Sequence, residues 1–390
     1  LHLCDRRQRL MCIRDSPYSI VFPQKEHRVS ESATASAPAK TQPKAKKNRL
    51  SSGFFRFVLT RFLLIIPTVF ILVTIVFFVM RATGDPISAA MGGRLTPEEL
   101  QRRIHAAGYD RPLVVQYLDY LGGLLRGDLG TTLTDNQPVT TILTRYGAAT
   151  FELAFLSLIV ALIVGIGLGR LAARRRDHAA DAGIRVFAIL CYATPVFFLG
   201  LMLKLVFAVW LNVLPPSGRS SFASDMQFQR LVSPTGFYII DAFQLGDMSV
   251  LVDVLRHAVL PALALGLLTA GVFIRLVRTN VISTYTSGYV EAARSRGVSE
   301  GRLLSKHAWR PAMIPIITVM GMQIALMLAG AVLTETTFEW KGLGFMLSQY
   351  LKQRDFVAVQ GIVILIAIIV AVVNFIVDVI SALIDPRVRY

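Results

Sequence analysis

Few residues in this chain have types and spacing suited to chemistry. One G-x-S-x-G pattern occurs, "GVSEG" at 297–301, the arrangement of a nucleophile elbow that would aim the Ser299 hydroxyl at an acyl carbon. Such an elbow needs a buried strand before the serine and a helix after it. Here the preceding "GYVEAARSR" is polar and helix-forming, so the context does not fit an esterase. No G-x-x-x-x-G-K-[ST] occurs, and hence no P-loop to cradle a nucleotide; no H-E-x-x-H occurs either. Cys4, Cys12 and Cys191 are too scattered for a disulfide framework or a metal set. Catalytic, cofactor and metal sites are therefore all expected to be absent from this chain.

The elements around that glycine-serine turn are more informative. The chain has 390 residues and is 54% hydrophobic, with a mean hydropathy of +0.55. Apolar residues this abundant, gathered in blocks, cannot all be buried in one soluble core. Six blocks reach the ~20 apolar residues that a helix needs to cross a bilayer: 54–80, 151–171, 184–213, 257–281, 313–333 and 356–384. They lack the alternation of barrel strands, so helices are expected. Pro67, Pro195 and Pro261 fall within or at the edges of these blocks as kinks or helix starts.

Loop charge orients the spans. Residues 170–185 hold five arginines, and 275–310 hold seven basic against two acidic residues. Residues 213–256 carry three basic and four acidic residues, and 335–355 three of each. Basic loops stay in the cytoplasm, so the N-terminus, 170–185, 275–310 and the terminal "DPRVRY" are expected inside. Residues 81–148, seven basic and seven acidic, then lie outside. Within them "RLTPEELQRRIHAAG" predicts a helix capped by Thr96, with Pro97 first, Glu99 closing a capping box and Gly108 ending it. A second, amphipathic helix is expected from Pro112. This outer cap is either a packed connector or a docking surface for a partner.

Residues 1–50 supply +7 of the net charge of +16 and read as a disordered basic tail, and the start "LHLCDRRQRLMCIRDS" as a spurious upstream translation. The basic balance does not call for nucleic acid, because it sits in this tail and in loops that membrane orientation explains.

Between the fourth and fifth spans lies "GYVEAARSRGVSEGRLLSKHAWRPAMIPI", residues 288–316, with five basic and two acidic residues. Ser287 can cap a first helix with Glu291 in its first turn. Gly297 suits a left-handed helix end, and Ser299 can cap a second helix. Leu303, Leu304, His307 and Ala308 would share one face of that helix, and Arg302, Lys306 and Arg310 another. Such a pair either rests on lipid headgroups or engages another protein.

"YVEAARSRG", nine residues and then "HAWRPAMIP" resemble the cytoplasmic E-A-A coupling loop of ABC-importer permeases. "RFLLIIPTVFILVTIVFFVMRATGDP", "YLGGLLRGDLGTTL", "LPPSGR", "LRHAVLPALALG", "GLGFMLSQYLKQRDFVAVQG" and "ALIDPRVRY" are similar to the dipeptide/oligopeptide/nickel branch, to its first, B-type, subunit. The likeness covers about 54–390. His307 to Arg310 depart from the general I-x-L-P continuation and match the peptide branch better; Pro311 stands where that branch has Asn.

The resemblance implies an all-α polytopic membrane protein with the six helices of a type I importer permease, 51–390, an outer helical insertion at 81–148 and a coupling loop at 283–310. It implies a second homologous permease subunit, two cytoplasmic ATP-binding subunits that hold the ATP, and an extracytoplasmic substrate-binding protein. Glu291, Ala292, Ala293, Gly297, Leu303 and His307 would then couple to the ATPase, small residues allowing close approach and Glu291 a charged hydrogen bond. The expected cargo is di- or oligopeptide, with nickel chelates or glutathione the alternatives within the branch. A secondary transporter is the alternative of another class, but it would show mirrored half-repeats, and none are found.

Polar residues inside the spans are candidates for function or pairing. Gln323, in span five, can line a water-filled path. Gly321 and Gly330 beside it suit close helix packing. Lys204 is expected to snorkel outward, Asn374 and Asp378 to pair structurally, and His257 with Arg256 to mark the outer entry of span four.

Overall fold

The computed structural model describes residues 49–93 and 95–384. The basic tail up to residue 48 and the terminal "DPRVRY" lie outside the described residues, while residues 49–50, expected in the tail, begin the first helix. Within these, helices prevail, and the one extended pairing is a bridge between Thr131 and Pro138.

The long helices are α1 (Arg49–Ala82), α5 (Val139–Arg174), α10 (Met248–Tyr285), α13 (Trp309–Phe338) and α15 (Phe356–Ile384). The third block is not the continuous span 184–213 expected from its hydropathy. It breaks into α6 (Ala179–Ala193) and α7 (Val196–Leu203), bent by 109°. Pro195 supplies the cause. It has no N–H to give, and it forces Thr194 into extended backbone at ψ 127°. Beyond α7 the chain continues as a π-helical stretch, Lys204–Trp210. Among the described residues four helices are each long and apolar enough to cross a membrane; the count reaches six if this bent pair and a second one, Glu300–Met313 with Pro315–Leu328 at 51°, each form one span.

α10 is the hub. In its most apolar stretch 61% of residues are buried, against 11% in α1. It packs on α5, α13, α6 and α7. Glycines permit this: a Cβ on Gly266 would stand 2.7 Å from the Ser157 carbonyl oxygen, and one on Gly165 2.5 Å from Phe273 Cβ. In lipid, where apolar burial drives little association, such close backbone approach is what holds helices together. Gly321 serves the same end, since its Cβ would collide with Val377 of α15. α1 rests mainly on α15 and leaves Phe70, Ile71, Phe78 and Val79 exposed.

Among the shorter helices are α2 (Pro86–Met91), α3 (Pro97–Ala106), α4 (Leu113–Leu125), α8 (Phe222–Phe228), α9 (Tyr238–Leu245) and α14 (Leu343–Lys352). Thr96 Oγ1 accepts from the Glu99 N–H as expected. The Glu99 carboxylate does not return the bond; it turns to Arg103, four residues on, at 3.2 Å. Only half of the capping box forms.

Candidate functional site

The loop between α10 and α13 folds into α11 (Gly288–Ser295), a turn, α12 (Glu300–Arg302) and a π-helical stretch, Leu303–Ala308, which runs directly into α13. Gly297, at φ +81°, ends α11. The Gly297 N–H donates to the Arg294 carbonyl at 2.9 Å and the Val298 N–H to that of Ala293 at 3.3 Å, the two bonds of a Schellman end. Ser287 and Ser299 occupy N-cap backbone positions, yet neither side chain caps. Ser287 Oγ instead donates back to the Thr284 carbonyl. Pro311 sits in the first turn of α13, just after the π-helical stretch, where it gives no N–H to the preceding turn. The fifth span thus begins earlier than the expected 313.

Two devices hold this segment. Val290, Leu303 and Ala308 are fully buried, and Leu304 and Trp309 pack on the cluster of Val277, Val281, Ala312 and Ile316. Across the turn, Arg294 Nε donates to Glu300 Oε1 at 2.8 Å, and the Tyr285 hydroxyl donates to Glu300 Oε2. The Arg294 guanidinium also lies 5.0 Å from the Tyr285 ring centroid. The Arg294 hydrogen bond, and then that from Tyr285, hold the Glu300 carboxyl below the usual carboxylate range. The last residue of α10 and both arms of the turn are thereby fastened at one carboxylate.

The candidate coupling residues divide accordingly. Glu291, Ala292 and Gly297 are exposed along one edge, and Ala293 and His307 are half-buried. Leu303 has no accessible surface in this chain. It supports the segment from within and offers a partner nothing to touch, because its apolar side chain is held by the bundle. No Cβ contact lies within 4 Å of Gly297, so its surroundings are open and only its φ demands glycine. Ser299 follows an exposed helical turn, with no strand before it, and the elbow geometry is missing. Arg302, Lys306 and Arg310 share an exposed face as the spacing predicts.

Elsewhere the expected polar residues find definite places. Gln323 is half-buried on α13 beside the exposed Met322 and Leu326. Lys204 Nζ ends on the Thr337 carbonyl at 2.9 Å, so a protein carbonyl satisfies it. Asp378 pairs with Arg61 of α1 at 3.4 Å, whereas Asn374 is exposed. His257 lies inside α10, its Nδ1 2.8 Å from the Asp253 carbonyl oxygen, and Arg256 donates to the Val213 carbonyl.

Buried charges that sequence reasoning passed over are the main additions. Asp181 of α6 takes a bidentate pair from Arg278 of α10, at 2.7 and 2.8 Å. Glu152 of α5 binds Arg219 at 2.5 Å and accepts the Ile239 N–H. Arg219 in turn lies 3.7 Å from the Tyr238 ring centroid. Asp355 accepts from the Leu133 and Thr134 backbone N–H groups. The available signal was an acidic residue inside an apolar run, as in "ATFELAF" around Glu152.

A family model described as "Binding-protein-dependent transport system inner membrane component" matches residues 165–390. A second, "Binding-prot-dependent transport system membrane comp, N-term", matches residues 54–153. The chain belongs to this family of binding-protein-dependent transport permeases. The permease is 37% identical over 336 residues to the di/tripeptide transport system permease protein DppB of Pseudomonas aeruginosa, covering 86% of this chain and 98% of that protein. It is also 37% identical over 338 residues to the dipeptide transport system permease protein DppB of Escherichia coli K12, covering 86% and 99%. Among solved structures, the inward-facing MetNI methionine ABC transporter aligns with a TM-score of 0.46 and 14% identity, over 63% of this chain and 97% of that one. The permease is thus an all-α, polytopic inner-membrane subunit of an importer that works with ATPase and substrate-binding partners.

Proposed function

We propose that the permease imports di- and oligopeptides, as half of a pore completed by a second, similar permease subunit. In this proposal the exposed edge of α11, Glu291, Ala292 and Gly297, docks on one of two cytoplasmic ATP-binding subunits. Closure of the ATPases would move α11, and through the Glu300 clasp and the buried Leu303 the ends of α10 and α13. Those helices include the hub of the bundle, so a rigid-body movement there changes access to the pore. ATP stays on the partner subunits, the chain itself catalyses nothing, and both termini are cytoplasmic. An external binding protein would deliver its peptide to the face built by 81–148 and 213–256.

The observation that carries this proposal is the pairing of an exposed small-residue edge with rigid anchorage to two membrane helices. A helix meant only to rest on lipid has no need of either. The names of the relatives support the peptide cargo. The test is Glu291→Lys, measured in proteoliposomes that contain the complete importer. Normal membrane insertion, lost uptake of labelled dipeptide and ATP hydrolysis deaf to substrate are expected. Wild-type uptake would remove α11 as the handle. Wild-type importer that moves glutathione or a nickel chelate but no peptide would overturn the cargo and leave the handle standing.

A further inference from the structure

Buried polar side-chain atoms without a hydrogen-bond partner are uncommon, and each calls for an explanation. Four of them line one place: Arg81 Nε, Gln116 Oε1, the Tyr120 hydroxyl and Gln360 Nε2. The four residues that carry them line one open cavity of about 330 Å³ between the end of α1, the start of α4 and the start of α15. At ~30 Å³ per water this is far more room than one bridging water needs.

The groups are held in place. Gln116 is only 9% exposed, and its Nε2 is committed to the Tyr109 and Arg111 carbonyls at 2.9 and 2.7 Å. That fixes the amide and leaves Oε1 as a free acceptor. The Arg81 guanidinium is stacked 4.3 Å from the Tyr109 ring centroid and 5.3 Å from that of Phe77, and has no ion pair among the described residues. Tyr120 and Gln360 are neighbours that close no hydrogen bond of normal geometry. Two carboxylates also line the cavity. Asp119 is engaged by Arg111 at 3.4 Å, and Asp128 accepts the Gly130 N–H. The cavity therefore offers one unpaired cation, two neutral donors and several acceptors.

Depth narrows the occupant. Arg81 lies in the last turn of α1, at the outer end of an apolar span. The Tyr117 hydroxyl of α4 is 2.7 Å from Thr74 Oγ1, two turns further into that span. So α4 lies alongside the outermost turns of α1, and its exposed Val114, Leu118 and Leu125 accompany the exposed Phe78 and Val79 of α1. Arginines and tyrosines gather where phospholipid headgroups lie.

We propose that this cavity seats the headgroup of an outer-leaflet phospholipid. Its phosphate meets Arg81, Tyr120 and Gln360, and its ammonium or hydroxyl donor meets Gln116 and Asp128. A soluble phosphate ester offers the same oxyanion chemistry, and the experiment separates the two.

The importer complex, purified from membranes in mild detergent, is weighed by native mass spectrometry. It is then titrated in nanodiscs of phosphatidylcholine with phosphatidylethanolamine. Wild type is expected to keep one phospholipid more per permease than Arg81→Gln, with affinity falling about tenfold on loss of a charge-assisted contact. Tyr120→Phe is the second variant. It removes only a hydroxyl that no protein group satisfies, so the fold is kept, and a roughly threefold loss of lipid is expected. Equal lipid in wild type and Tyr120→Phe would overturn the proposal, because a merely hydrated void is indifferent to that hydroxyl. Saturation by inorganic phosphate with no retained lipid would also overturn it, making the cavity a soluble-anion site.

Discussion

Two helix ends in this permease are built alike and used differently. α3 closes at Gly108 (φ +70°) and α11 at Gly297 (φ +81°). Each makes the same two bonds, Gly108 and Tyr109 to the His105 and Ile104 carbonyls, Gly297 and Val298 to those of Arg294 and Ala293. After Gly108 the chain folds back: the Tyr109 ring lies under Arg81, its carbonyl takes a bond from Gln116, and a Cβ on the glycine would meet Arg111 at 3.2 Å. After Gly297 it stays open, and a Cβ on that glycine would meet nothing within 4 Å. The same local device closes a connector on itself at Gly108 and presents an exposed edge at Gly297. What differs is the foundation, since α11 stands on buried anchors and the cap on exposed pairs.

The largest test of that difference is Arg278→Ala. It leaves the Asp181 carboxylate with only the Asp177 N–H, at 3.2 Å, and Arg185, at 3.9 Å, for partners. A loss of about 3 kcal/mol is expected, the lower end for a buried carboxylate robbed of its pair, read as a marked drop in the midpoint of thermal unfolding in detergent. Arg111→Ala in the cap breaks a pair in which both side chains are exposed, and should move the midpoint hardly at all. Equal shifts would erase the contrast between the two foundations.

Next comes Asp355→Asn, where the cap depends on a buried carboxylate. The neutral amide weakens the bonds from Leu133 and Thr134, by about 1–2 kcal/mol in sum. Faster limited proteolysis around residues 131–137 is expected, with ATPase coupling unchanged. Coupling lost in this variant would mean that the outer segment takes part in transmission.

The paired substitutions Gly108→Ala and Gly297→Ala sharpen the comparison directly. Each places a Cβ at positive φ and should cost about 1 kcal/mol of local stability. The Gly297 variant is expected to uncouple ATP hydrolysis from substrate, and the Gly108 variant to leave coupling intact. The reverse outcome would make the cap the handle.

The smallest effect concerns pH. The Glu300 carboxyl is held below its usual range by Arg294, so its contribution is complete above the ordinary carboxylate pKa. It is lost only as pH falls through the lowered value. Hydrogen exchange of α11 amides, corrected for intrinsic rates, should therefore not change between neutral and mildly acidic buffer, while Glu300→Gln should loosen α11 at neutral pH. Loosening already in mild acid would place another titrating group in the clasp.

Much of this was legible in the chain itself, because the bilayer reads sequence locally. A run of apolar residues must become a helix whatever surrounds it, and loop arginines orient it. Capping chemistry is equally local, so Thr96, Gly108 and Gly297 announced their helix ends, and the E-A-A pattern located the turn that α11 forms. Tertiary structure decided what depends on residues remote in the chain. Ser287 turned its hydroxyl to the Thr284 carbonyl, Ser299 makes no side-chain cap, and the third span broke by 109° at a proline that a hydropathy window averages away. Leu303, apolar and suited to a docking face, turned out to be fully buried within the chain. Asp181 found Arg278 97 residues on, Glu152 found Arg219 67 residues on, and Asp355 reached back 222 residues to Leu133. A charge in an apolar run reveals that a partner must exist, since its solvation cannot be left unreplaced. Which partner it is depends on how the helices pack, and that is settled only when distant glycines let them meet.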